Sequence, residues 1–343
     1  MNKERIDHAD VVRIVACLMV VLMHSPMASP KLIPFFTSGL TYVTMPCIGL
    51  FLTLSGYLLL PVKSEPSESL SFSINRVKKF IWPVLIWSFI YLVANGTFTS
   101  GDILLIVRRV CSIPFSPQEG VLWYMYVLVG LYFVAPIISS WLQNLNKKTL
   151  QIYLIMWMLI LTLPFITPFI TVRGGESSVC YYFSGYIGYF ILGYYLKAYD
   201  IKIKPIIAII GIFCSLFPYA MYQRYLADLN LDFGDVFGYL SVDSPILVVL
   251  WWNFLKPISA RVKVAKQYIR NIVVNLSNLS FGVYLAHILV MRYGLWQLKC
   301  IQNIDNYMLQ TLVVFVLTTI ITFCIVFVLS RLYIGNYFIA YKK

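Results

Sequence analysis

Apolar runs recur along almost the whole chain, separated by short polar breaks. Ten of them, at approximately residues 9–27, 40–60, 80–96, 121–142, 150–169, 179–198, 205–222, 236–255, 279–298 and 307–332, are long enough to span a bilayer as helices. Backbone N–H and C=O groups have no water to bond to in hydrocarbon, so each run must satisfy its own as a helix. The pattern predicts an all-α polytopic membrane protein with about ten transmembrane helices. It also predicts a single membrane-embedded domain over 1–343, with no separate soluble domain. The stretch Asp102–Ile113 is too short to span and reads as re-entrant or interfacial. The sizeable polar loops are 61–79, 97–120, 223–235 and 256–278, and no internal repeat is visible.

Composition agrees. Of 343 residues, 60% are hydrophobic and 12% charged, with a mean hydropathy of +0.78. Soluble domains carry about twice that charge. The start of the chain resembles a signal peptide, but Arg13 interrupts its apolar run and many further apolar segments follow, so it reads as a retained first span. The cysteines at 17, 47, 111, 180, 214, 300 and 324 are scattered, mostly within apolar segments, with no metal-ligand spacing. They read as small packing residues, and no metal is expected.

The net charge of +13 could point to nucleic acid, but its distribution excludes that reading. With the N-terminus in the cytoplasm, only Lys31, Arg108, Arg109, Arg173, Arg224, Arg292 and Lys299 of the 27 Lys and Arg residues fall outside. This bias is the positive-inside signature of an N-in, C-in chain. Trp82, Trp141, Trp251 and Trp252 fall at expected inner edges and Trp123 and Trp296 at outer edges, as an interfacial belt requires.

A few polar residues inside the spans carry the candidate chemistry. Arg13 and His24 stand eleven residues apart, roughly three helical turns, so they share a helix face with a separation of roughly 16 Å along the axis. A neutral imidazole at the outer end of a span can take a proton from a hydroxyl. It can equally be a helix-end histidine hydrogen-bonded before Pro26. Arg13 can bind an anion, snorkel to the inner headgroups, or pair with Asp10. Ser280, Tyr284 and His287 lie at i, i+4 and i+7 and make one helix face polar. Such a face must meet protein or a water-filled cavity, and a structural interhelical bond is the plainer alternative.

Asp243 lies in Ser241-Val-Asp243-Ser244-Pro245, where Pro245 should kink the eighth span. Its carboxylate lines a substrate cavity or pairs with an arginine. Arg76-Val-Lys78-Lys79 is ordinary inner-face charge or a phosphate site. Ser184, Gly185, Gly188 and Gly193 serve close helix packing.

Together these segments resemble the acyltransferase type 3 family of integral membrane acyltransferases. Asp10-Val-Val-Arg13-Ile-Val-Ala, followed after ten residues from Arg13 by His24-Ser25, matches that family's opening signature. Phe51-Leu-Thr-Leu-Ser-Gly56-Tyr57-Leu is similar to its second span, and Phe72-Ser-Ile-Asn-Arg76-Val-Lys-Lys79-Phe-Ile-Trp-Pro83 to the basic entry of its third. Leu122-Trp123-Tyr-Met-Tyr126 and Ser280-Phe-Gly-Val-Tyr284-Leu-Ala-His287 are also similar. The resemblance covers nearly the whole chain. Lys79 departs from the second Arg of many members, and the fourth span lacks carboxylates that some members carry.

The resemblance implies an O-acetyltransferase of the bacterial cytoplasmic (inner) membrane. Such an enzyme moves an acetyl or other acyl group from cytoplasmic acetyl-CoA to a hydroxyl of a cell-envelope or lipid-linked saccharide. His24 would be the general base, and Arg13, Arg76 and Lys79 would bind CoA. Asp243, Tyr284, His287 and Trp123 are expected to meet the acceptor. Expected partners are that glycan and membrane lipids, with no nucleic acid; the oligomeric state, homodimer included, stays open. The alternative is a glycan or lipid-linked-sugar transporter or flippase, which the missing inverted repeat disfavours. A non-catalytic receptor or assembly factor would leave the shared face of Arg13 and His24 without a role.

Overall fold

A computed structural model describes residues 7–27, 35–62, 68–166, 183–228 and 237–340. Among these, regular structure is helical throughout, with no strand. In chain order the helices are α1 (Asp7–His24), α2 (Phe35–Thr44), α3 (Cys47–Leu59), α4 (Ser69–Ala94), α5 (Ile103–Ser112), α6 (Trp123–Gln143), α7 (Lys147–Ile160) and α8 (Leu163–Ile166). They continue with α9 (Ile187–Tyr199), α10 (Pro205–Cys214), α11 (Leu216–Asp228), α12 (Asp243–Val264), α13 (Gln267–Arg292), α14 (Lys299–Gln302), α15 (Tyr307–Arg331) and α16 (Gly335–Ile339).

Seven described helical stretches are long and apolar enough to cross a membrane: Ser38–Leu59, Ser69–Ala94, Gly120–Gln143, Lys147–Ile166, Pro205–Tyr222, Gln267–Gln297 and Tyr307–Arg331. The expected segments 9–27, 179–198 and 236–255 are not among them, each for a physical reason. Helix α1 has 18 residues but includes Asp7, Asp10 and Arg13. Residues 179–182 lie outside the described residues, and α9 has 13 residues. Helix α12 starts only at Asp243 and runs into Arg261 and Lys263.

That late start corrects the expectation of a kink. Pro245 stands in the first turn of α12, where its missing N–H would have had no helical partner. The stretch 102–113 forms α5, capped by the Asp102 carboxylate, which accepts from the Leu105 N–H at 3.0 Å. Its Ile103, Leu104, Val107 and Val110 are exposed beside Arg108 and Arg109, the composition of a helix lying in an interface.

The chain divides into two compact units. The first comprises 1–23, 32–62 and 137–273, and the second 24–31, 63–136 and 274–343. Helix α1 thus belongs to the first unit except for its last residue, His24.

In the first unit, α3 and α9 pack through glycines. A Cβ on Gly56 would lie 1.9 Å from the Phe190 carbonyl oxygen, and one on Gly193 would lie 2.0 Å from that of Thr53. Lipid tails are as apolar as leucine, so helix association in a membrane relies on such close backbone approach and on interhelical hydrogen bonds. At the inner end, His8 is set edge-on to Trp252 at 4.6 Å, with Nδ1 2.8 Å from the Ser259 hydroxyl. Ser259 gives its own proton to the Leu255 carbonyl, so His8 Nδ1 is the donor. Lys256 pairs with Asp200 at 2.7 Å and Arg270 with Asp7 at 3.3 Å. Burial, helped by the Lys256 charge, lowers the His8 imidazole to about 4, and the Lys256 hydrogen bond holds Asp200 below the usual carboxylate range.

In the second unit, hydroxyl and indole donors tie helices to the backbone of their neighbours. Tyr91 of α4 donates to the Leu285 carbonyl of α13 at 2.7 Å, Trp87 to the Phe338 carbonyl of α16 at 2.9 Å, and Ser73 to the Tyr132 carbonyl of α6 at 2.8 Å. Phe80 packs between Tyr132 and Phe281 at 5.8 and 5.3 Å.

Candidate active site

His24 is the last helical residue of α1. Ser25, fully buried, and Pro26 end the helix, because a residue before proline is pushed out of helical conformation. The chain beyond is held by Tyr307 at the start of α15, whose hydroxyl donates to the Met27 carbonyl at 2.6 Å. His24 is half-buried, so its imidazole is both positioned and accessible.

The polar face of α13 meets it. The His24 and His287 ring centroids are 5.3 Å apart with the planes tilted by 59°, and His287 lies 6.0 Å from the Tyr284 ring. His287 is 0% exposed, and its Nδ1 lies 2.7 Å from the Tyr284 carbonyl oxygen. The Tyr284 hydroxyl donates to the Val121 carbonyl at the entry to α6, and Tyr124 packs edge-on against its ring at 5.6 Å. Ser280 donates to the Ser277 carbonyl on its own helix at 2.7 Å. Trp123, half-buried, is the first residue of α6. His24, Tyr284 and His287 are therefore brought together, with Trp123 two residues beyond the carbonyl that holds Tyr284.

An ion pair missed in the sequence lies at the same end of α13. Arg292 bonds Glu119 at 3.1 Å, Tyr293 reaches the other Glu119 oxygen at 3.3 Å, and the guanidinium stands 5.7 Å over the Trp296 ring. Nothing local pairs residues 119 and 292 in the sequence; only the flanking of two apolar runs by opposite charges hints at it.

The remaining expected site residues lie elsewhere. Arg13, 31% exposed, is 3.5 Å from Asp10, which is 4% exposed. Arg76 is half-buried with its guanidinium 5.4 Å from the Phe72 ring centroid, and Lys79 is exposed on the same face of α4.

Asp243 belongs to the first unit. Both its carboxylate oxygens are buried and make no hydrogen bond of normal geometry. The hydroxyls of Tyr42 and Ser241 and the first backbone N–H groups of α12 are the polar groups that act on it. No Lys or Arg among the described residues forms an ion pair with it, so the arginine partner does not appear there. Tyr42 is stacked on Tyr219 at 4.3 Å, and Phe237 meets both edge-on, giving the carboxylate an aromatic flank that the sequence did not reveal. No group of three His, Cys, Asp or Glu side chains among the described residues clusters as metal ligands would.

Seven helices long and apolar enough to cross a bilayer among the described residues define a multi-pass membrane protein. The acyltransferase domain model matches residues 6–331, and the chain belongs to the acyltransferase type 3 family. It is an acyltransferase acting on groups other than aminoacyl groups. No curated protein and no solved structure matches the chain.

Proposed function

We propose that the protein is an O-acetyltransferase of the bacterial inner membrane, moving an acetyl group from cytoplasmic acetyl-CoA to a hydroxyl of a cell-envelope or lipid-linked saccharide. The observation that carries this reading is the half-buried His24 imidazole facing the enclosed Tyr284–His287 pair, in a chain of an acyltransferase family. His24 takes the proton of the acceptor hydroxyl as its oxygen attacks the thioester carbonyl. The carbon–sulfur bond breaks and CoA leaves as the thiol, regaining a proton. A base so placed contributes roughly 10²–10⁴-fold.

Arg13, Arg76 and Lys79 are the proposed partners of the CoA phosphates, Arg by its planar fork and Lys as a point charge. Trp123, Tyr284, His287 and Asp243 are the proposed acceptor contacts. The Lys and Arg distribution supports ten spans with both termini in the cytoplasm; α1, α9 and α12 would supply the three beyond the seven apolar ones. His24→Ala, in protein still inserted in the membrane, is expected to abolish transfer of label from [¹⁴C]acetyl-CoA to cell-envelope glycan. Normal transfer would overturn the base assignment. Mass spectrometry of the glycans with and without the gene should show an acetyl mass on one sugar; movement of substrate in vesicles lacking acyl-CoA would favour a transporter instead.

A further inference from the structure

His287 is more enclosed than an acceptor contact needs to be. A carbonyl oxygen can only accept, so the 2.7 Å contact with Tyr284 requires the proton of His287 on Nδ1. Nε2 then carries a lone pair. That nitrogen is buried and has no hydrogen-bond partner among the described residues. Leaving such an atom unmatched is destabilising, so a donor is to be expected.

The groups around it narrow the choice. Tyr284 gives its hydroxyl proton to Val121 and Tyr91 gives its own to Leu285; Arg292 bonds Glu119 through Nη1, and its Nε, buried without a hydrogen-bond partner among the described residues, belongs to a residue five positions further along α13. The ring facing His287 from another helix is His24, at 5.3 Å. A doubly protonated His287 would place an unpaired cation at 0% exposure beside another imidazole, a costly arrangement.

We propose that His287 is a positioning residue for His24, its Nε2 lone pair accepting an N–H from the His24 ring so that the other His24 nitrogen is held unprotonated toward the acceptor hydroxyl. The hydrogen bond made by one ring nitrogen decides which nitrogen of a histidine carries the proton. At 5.3 Å between centroids, rotation of the His24 ring brings a nitrogen within bonding range. The reacting proton passes from the hydroxyl to His24 alone; His287 keeps its single ring proton and stays neutral throughout. The inference rests on the reading of His24 as the base.

The two amide isosteres of histidine separate positioning from structure. His287→Asn keeps an N–H at the place of Nδ1, for the Tyr284 carbonyl, and loses the acceptor. His287→Gln puts an oxygen at the place of Nε2 and gives up the bond to Tyr284. With full-length protein in cell-envelope membranes and [¹⁴C]acetyl-CoA as the probe, H287N should lose roughly 10²-fold in saturated rate. Its half-saturating acetyl-CoA concentration should be unchanged, and H287Q should stay within about tenfold of wild type. H287N as active as H287Q, or more so, overturns the proposal while an inactive H24A leaves the base reading standing. An active H24A ends both.

Should H287N fail to insert, nitrogen NMR of the purified protein, labelled at its three histidines, decides the matter. The Nε2 resonance of His287 should shift on His24→Ala, and a resonance that does not move overturns the proposal.

Discussion

The two units each enclose the polar atoms of a titratable side chain on a helix, and they support it differently. In the second unit, His287 lies within α13, where every backbone N–H already has a helical partner. Its support comes from the Tyr284 carbonyl one turn back, which leaves one ring nitrogen to face His24. In the first unit, Asp243 is the first residue of α12, where backbone N–H groups lack helical partners and the helix dipole favours a negative charge. A helix interior thus suits a neutral imidazole with one acceptor to offer, and a helix start suits a carboxylate. Under the proposed function, the first arrangement would serve proton transfer and the second the holding of a polar ligand against aromatic rings.

The largest test of that difference is His24→Ala, expected to lower transfer by roughly 10²–10⁴-fold at unchanged protein level. Asp243→Asn should act more mildly and on a different quantity. It should raise the half-saturating acceptor concentration by about tenfold and leave the acetyl-CoA dependence alone, since hydrogen bonds to a charged group are worth about 1.5–3 kcal/mol. Equal losses of saturated rate in both variants would erase the distinction between the two regions.

Gly56→Val serves as the packing control. Its Cβ would meet the Phe190 carbonyl oxygen at 1.9 Å, so α3 and α9 must separate, at a cost of roughly 1–3 kcal/mol. The expected readout is a lower melting temperature in detergent, and an unchanged one would count against glycine-mediated packing. Tyr91→Phe, which removes the bond to Leu285, should cost only about 0.6 kcal/mol, measurable as a small shift in the same assay.

A separate test is the effect of pH on His8. Its imidazole is lowered in the fold from an ordinary 6.5 to about 4, so between these values the unfolded chain binds a proton that the folded chain does not. Stability is full above about pH 6.5 and falls as pH drops toward 4. His8→Gln should flatten that decline in a melting series over pH, and an identical decline would place its origin elsewhere.

Much of this was legible in the sequence. The apolar runs located most of the helices, and the spacing of Ser280, Tyr284 and His287 placed them on one face of α13, as found. Of the glycines of the sixth run expected to serve close packing, Gly188 and Gly193 do stand against Trp157 and Thr53, whereas Gly185 has open space beside it and instead occupies a bend with φ +96°. Pro245 misled, because a proline in a first turn and one in mid-helix look alike until the helix start is known. The cluster of His8, Ser259 and Trp252 was invisible for another reason: His8 lies about 250 residues from its two partners.

The sequence by itself determined the membrane class, most of the helices, the family and the face on which His287 lies, because hydropathy and period are local properties of a chain. Only the tertiary structure decided that His287 faces His24, that Glu119 holds Arg292, and that Asp243 has hydroxyls and aromatic rings for neighbours among the described residues. Each is a meeting of side chains from distant segments, and no local rule specifies which carbonyl or ring a buried polar group will find.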